Sequence, residues 1–242
     1  MSSSTTGDAS STVAAAHRGL LALGRCRVLE IGDSLGEDLG WGLSRELAAT
    51  HGLQLIMRDA TSTGLSASWY YNWPRHLEKY LAKHHSNLVL IMFGANDEQP
   101  LAVNGRSEPF GSPLWRIAYT ARVRDIVAIA TKADSYVLWV GVPIVEPPVY
   151  RKGIQMLNAI YQQVASTTPG VTFQPTWNLL ATRGGQYRGS AWVNNVLSAV
   201  RALDGIHLTY VGQNVVATFV TRQMATIYHV KLKPLAPAYI NP

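Results

Sequence analysis

Arg27-Val28-Leu29-Glu30-Ile31-Gly32-Asp33-Ser34-Leu35-Gly36 carries the chain's first change from strand to helix. A short aliphatic run ends at Ile31 and passes into a turn of small residues. Helical spacing then takes over from about Leu39 to His51, where Gly52 stops it. Strand, tight turn and helix in that order open a βαβ unit. The turn then falls at the carboxyl edge of a sheet, where open α/β sheets take their ligands.

Outward from that stretch the rhythm repeats. Gln54 to Arg58 reads as a second strand, and Asn72 to His84 as a helix with Pro74 in its first turn, where a missing N–H costs nothing. Leu88 to Phe93 is continuously apolar, as a strand buried on both faces should be. Ser112 and Pro113 read as N-cap and first residue of a helix whose expected buried face is Ile117, Ala121, Val123, Ile126, Val127 and Ala130. Tyr136 to Val142 is the fourth strand, ended by Pro143, and Val171 to Gln174 the fifth. Between them Ile154, Leu157, Tyr161 and Val164 recur at helical spacing. Thr209 caps a last helix with core face Val216, Phe219, Val220 and Ile227.

Two stretches interrupt the alternation. Asp97 to Pro113 contains Asn104-Gly105, a two-residue hairpin signal, and Tyr187 to Leu203 has apolar runs on both sides of Asn194-Asn195. The pattern predicts one α/β domain over residues 20–230 with a mainly parallel five-stranded sheet, a Ser/Thr-rich leader over 1–19 and a C-terminal tail over 231–242.

Composition excludes several classes. With 47% hydrophobic and 15% charged residues in 242, the chain is globular rather than disordered. One cysteine, Cys26, cannot form an intramolecular bridge. The net charge of +6 comes from scattered Lys and Arg, whose tightest groups are pairs such as Arg122 with Arg124, so no nucleic-acid surface is expected. The longest apolar runs, Leu88 to Phe93 and Val137 to Val145, fall far short of the ~18–20 residues of a spanning helix. Met1 to Gly7 shows neither the basic nor the apolar part of a secretory signal. His84-His85 has no partner at metal-ligand spacing, and neither a P-loop nor G-x-G-x-x-G is present, so no metal or cofactor is expected.

Three groups carry candidate chemistry. Ser34 stands in the first turn, before a helix whose free N–H groups suit a developing oxyanion. Asn96, in Phe93-Gly94-Ala95-Asn96-Asp97 after the third strand, offers an uncharged amide donor at the same edge. Asp204, three residues before His207, can hold Nδ1–H while Nε2 faces outward as a base. Each also has a plain reading: a helix cap, a turn, an acidic loop. Three such coincidences at one edge favour the site.

Gly32-Asp33-Ser34-Leu35, Gly64, Gly94-Ala95-Asn96-Asp97 and Asp204-Gly205-Ile206-His207 resemble, in order, the four blocks of the SGNH (GDSL) hydrolase superfamily. The resemblance runs from about Arg27 to Tyr228. Ser62-Thr63-Gly64-Leu65-Ser66, Tyr71-Asn72-Trp73-Pro74 and Phe110 to Trp115 are similar to a poorly characterised bacterial branch, itself similar to SGNH domains of cell-envelope O-acetylation proteins. The resemblance implies a flavodoxin-like three-layer α/β/α sandwich, Ser34 as nucleophile, His207 as base and Asp204 as its orienter. It also implies an oxyanion hole from Ser34 N–H, Gly64 N–H and the Asn96 side chain, and an extracytoplasmic or cell-envelope setting. The chain departs from the pattern at Ser62, where many members carry Asn. Gly32-x-Ser34-x-Gly36 also fits the α/β-hydrolase elbow formally, but too few residues precede it for that fold's leading strands.

Asp33, Asp97 and Glu37, beside these blocks, are candidates for holding substrate. Glu37 and Asp38, which follow the nucleophile closely, both suit favourable charge in the first helical turn, tuning of His207 or binding of a sugar. Trp69, Tyr70, Tyr71 and Trp73 suit core or rim packing, or a sugar face. The expected activity is hydrolysis of small acyl esters, acetyl foremost, on a small-molecule or polysaccharide substrate. An O-acyltransferase using the same triad and a non-catalytic carbohydrate-binding domain are the alternatives.

Overall fold

The computed structural model describes residues 26–228, 232–234 and 237–241. In chain order its elements are β1 (Cys26–Gly32), α1 (Ser34–Glu46), β2 (Leu53–Met57), α2 (Trp73–His84), β3 (Leu88–Met92), β4 (Leu101–Val103), β5 (Arg106–Glu108) and α3 (Pro113–Lys132). There follow β6 (Tyr136–Val140), α4 (Pro148–Ser166), β7 (Val171–Gln174), a 3-10 turn (Trp177–Leu180), β8 (Ser190–Val193), β9 (Val196–Ala199) and α5 (Tyr210–Tyr228). The main sheet is parallel throughout, in the order β2-β1-β3-β6-β7. The chain steps from β1 to β2 on one side and then to β3 on the other, which opens a switch-point crevice between β1 and β3. Central β3 is buried along its whole length, as its uninterrupted apolar sequence requires. Helix α1 packs on α5, and α3 packs against α2 and α4, giving an α/β/α sandwich.

Helix α1 begins at Ser34 rather than near Leu39. Gly36, Gly40 and Gly42 weaken its intrinsic propensity, but Asp33 caps it by accepting from Leu35 N–H at 2.9 Å. Gly42 is there for packing: a Cβ would stand 2.4 Å from the Gln213 carbonyl oxygen of α5.

The buried face of α3 differs from the expected one. Trp115 and Tyr119 are buried with Val123, Ile126, Val127 and Ala130, while Ile117 is 68% exposed and Ala121 faces solvent. Apolar and polar residues are mixed around the helix rather than segregated to two faces, so periodicity alone could not choose. The aromatic pair fills more volume and finds partners for its polar tips, Trp115 Nε1 donating to Gln99 O and Tyr119 O–H to Asp97. On α5, Val216 and Val220 are buried as expected. Phe219 and Ile227 are only half-buried, and Val215, Ala217 and Met224 complete the core face. Thr209 Oγ1 accepts from Gly212 N–H as the cap.

Both hairpins form at their turn signals. Asn104-Gly105 and Asn194-Asn195 adopt positive φ at both positions, as the tight turn demands. Ile240 pairs with Val193, Asn194 N–H donates to Tyr239 O, Asn241 N–H to Trp192 O, and Ala238 N–H to Thr218 Oγ1. Residues 237–241 therefore lie along β8. Among the described residues no helix is long and apolar enough to cross a membrane.

Candidate active site

Ser34 is the first residue of α1, directly beyond β1, so its N–H has no intrahelical acceptor. His207 Nε2 lies 2.8 Å from Ser34 Oγ, and His207 Nδ1 lies 2.6 Å from Asp204 Oδ2. With Nδ1–H donated to the carboxylate, Nε2 is the acceptor for the serine hydroxyl. Asp204 is fixed by its own turn, since Oδ1 accepts from the N–H groups of Ile206 (2.8 Å) and His207 (3.0 Å). Partial burial pushes this carboxyl up, but the hydrogen bonds from the His207 side chain and the two backbone N–H groups outweigh it. They hold Asp204 below its ordinary value. Gly205, at φ +70, makes the turn possible, and a Cβ there would also run into the Glu146 side chain at 2.4 Å.

The other two expected segments are tied to the first through buried carboxylates. Asp33 Oδ2 accepts from Gly94 N–H (2.9 Å) and Ala95 N–H (2.8 Å), joining the turn after β1 to the turn after β3. Asp97 Oδ1 accepts from Ser66 N–H and Oδ2 from Tyr119 O–H, both at 2.7 Å, and Tyr119 O–H lies 2.8 Å from Tyr161 O–H. Arg122 donates to the carbonyls of Leu65 and Ser66. Asn96 Nδ2 donates one of its two hydrogens to Thr63 O at 2.9 Å. Gly64 has no room for a side chain: a Cβ would stand 2.5 Å from Asp97 Oδ1.

Asp33 and Asp97 were expected beside substrate, and the structure corrects this. Both are fully buried and spent on protein N–H and O–H groups. Burial, only partly offset by the bonds from Gly94, Leu35 and Ala95, pushes the Asp33 carboxyl up to about 7, and burial raises Asp97 as well. Glu37 stands half-buried in the first turn of α1. The aromatic cluster divides. Trp73 is core, donating Nε1–H to Thr63 Oγ1 at 3.0 Å, whereas Trp69 and Tyr70 are exposed.

Sequence reading missed Tyr119, Arg122 and Arg201. The two arginines passed as scattered surface charge, although Arg201 is 4% exposed. Among the described residues there is no group of three or more side chains placed to hold a metal.

A family model described as a protein of unknown function (DUF459) matches residues 27–223. No curated protein matches the chain. Solved structures with a similar fold include a GDSL-like lipase from Bacteroides thetaiotaomicron, at 14% identity and TM-score 0.57, covering 87% of this chain and 97% of that one. Another is a catalytic mutant of the acetylxylan esterase Axe2 from Geobacillus stearothermophilus, at 16% identity and TM-score 0.53, covering 85% and 94%. At such identity the likeness is one of fold.

Proposed function

We propose that this chain, which belongs to the DUF459 family, is a serine esterase of the SGNH type that removes small acyl groups, acetyl foremost, from carbohydrate or cell-envelope esters. The observation that carries the reading is the continuous Ser34–His207–Asp204 hydrogen-bonded line, at 2.8 and 2.6 Å, over the switch-point crevice. The fold shared with an acetylxylan esterase supports the acyl and substrate class.

Ser34 Oγ attacks the ester carbonyl carbon while its proton passes to His207 Nε2. The carbonyl π electrons move onto oxygen, and that oxyanion is met by Ser34 N–H, Gly64 N–H and the Asn96 amide. The tetrahedral species collapses, the C–O bond to the alcohol breaks, and His207 returns the proton to the leaving oxygen. Water, deprotonated by His207, then attacks the acyl-serine and frees the acid and Ser34. Asp204 stays ionised and keeps the imidazole in the right tautomer throughout. Transfer to a sugar hydroxyl runs through the same acyl-serine, and partitioning between water and added oligosaccharide separates the two.

The test is hydrolysis of p-nitrophenyl acetate by the parent and by Ser34→Ala. The variant should lose ~10⁴ to 10⁶ in kcat. Equal rates would refute the assignment.

A further inference from the structure

The peptide groups on both sides of His207 are each held by a charged side chain from elsewhere in the chain. On one side Arg201 donates to Ile206 O, and with its other terminal nitrogen to Ile144 O at 2.6 Å. On the other side Asp38 Oδ2 accepts from Leu208 N–H at 2.8 Å. The carbonyl of His207 itself accepts from Ala202 N–H at 2.9 Å. Asp38 Oδ1 is engaged by Gln213 Nε2 of α5, also at 2.8 Å.

Asp38 lies four residues after Ser34 on α1, so the two are neighbours one helical turn apart. Nucleophile and base therefore hang from one rigid segment: from Ser34 through a single turn of α1 to Asp38, and across to Leu208 and His207. A carboxylate is the stronger acceptor for that N–H. Its half-buried position costs solvation that a purely decorative surface acid would not incur.

We propose that Asp38 is a positioning residue for the base, fixing the separation of His207 from Ser34 through Leu208. The proposal rests on the serine-esterase reading. It extends that reading to a fourth side chain that touches neither substrate nor the reacting atoms.

The test compares Asp38→Ala, Asp38→Asn and Gln213→Ala with the parent in the full chain. The readouts are kcat and KM on p-nitrophenyl acetate, the urea midpoint, and the downfield NMR signal of the His207 Nδ1 proton. A misplacement of about 1 Å costs ~10²-fold, so Asp38→Ala should lose about that in kcat with KM nearly unchanged. Asp38→Asn keeps an acceptor oxygen for Leu208 N–H and should recover most of the rate. Gln213→Ala removes only the helix–helix side of the link and should keep close to the parent rate. The Nδ1 signal should persist in Asp38→Asn and broaden in Asp38→Ala.

Parent-like kcat in Asp38→Ala overturns the proposal. So does an equal loss in the Ala and Asn variants, or a rise in KM at constant kcat. Should Asp38→Ala fail to fold, Asp38→Ser, whose hydroxyl is too short to span to Leu208, takes its place. If Ser34→Ala retains parent activity, the esterase reading fails on its own. The Nδ1 signal then still reports whether Asp38 orders His207.

Discussion

Gly64→Ala adds one methyl group where the structure has no space for it. The new carbon would stand 2.5 Å from Asp97 Oδ1, 3.0 Å from Cγ and 3.4 Å from Oδ2. Nonbonded heavy atoms settle at roughly 3.5 Å, so about 1 Å must be found. Asp97 cannot supply it, because it is fully buried and its two oxygens are held by Ser66 N–H and Tyr119 O–H. The segment carrying residue 64 must therefore move outward, against the grip of Arg122 on the Leu65 and Ser66 carbonyls. Misplacing one oxyanion donor by that distance should cost ~10² to 10³ in kcat, about 3 to 4 kcal/mol of transition-state stabilisation. Overpacking should take ~1 to 3 kcal/mol from folding stability, which a domain of this size can bear. Initial rates on p-nitrophenyl acetate give the first quantity and urea unfolding the second. A folded Gly64→Ala enzyme with kcat within about threefold of the parent would show that residue 64 supplies no positioned donor, because displacing one cannot be that cheap.

Three further outcomes follow from the same geometry. Asp204→Asn leaves the 2.6 Å contact sterically intact but favours the wrong tautomer. It should lower kcat by up to ~10⁴ without unfolding the protein; a loss below about tenfold would contradict the orienting role. Asn96→Ala removes an amide donor and its tie to Thr63 O. It should cost ~10² to 10³ in kcat with little change in KM, read on the same substrate. Stability should fall as pH rises through the weakly acid range. The Asp33 carboxyl, pushed up to about 7 by burial, keeps in the folded state a proton that the unfolded chain releases near ~3.9. Between those values each pH unit therefore removes ~1.4 kcal/mol. Glu30 and Asp97, also raised by burial, act in the same direction. His76 and His84, half-buried and shifted down, oppose it weakly. Urea midpoints lower near pH ~7 than near pH ~5 are expected, and the reverse order would contradict this assignment.

The parts of the fold legible in the sequence were those dictated locally. Asn104-Gly105 and Asn194-Asn195 specify their turns through the backbone conformations they tolerate, and Ser112-Pro113 specifies a helix start in the same way. Continuous burial of Leu88 to Met92 followed from composition alone. The illegible parts depended on partners distant in sequence. The start of α1 was hidden because its glycines look like helix breakers until α5 is seen pressing on Gly42. The face of α3 was misread because Trp115 and Tyr119 compete with Ile117 and Ala121, and hydrogen bonds to Gln99 and Asp97 decide between them. Ser34, Asp204, His207, Gly64 and Asn96 could be named from short motifs. The part that Asp33, Asp97, Arg122 and Arg201 play in holding those segments together could not be read, because only the folded chain shows that their charges are turned inward.

The central claim is that Ser34 is the nucleophile and His207 the base that activates it. Its most direct measurement is covalent labelling of the folded protein with a fluorophosphonate, followed by intact mass and peptide mapping. One adduct is expected, on the peptide carrying Ser34, formed rapidly in the parent and far more slowly in His207→Ala. An adduct elsewhere, no adduct, or labelling of Ser34 at the same rate without His207 would contradict it.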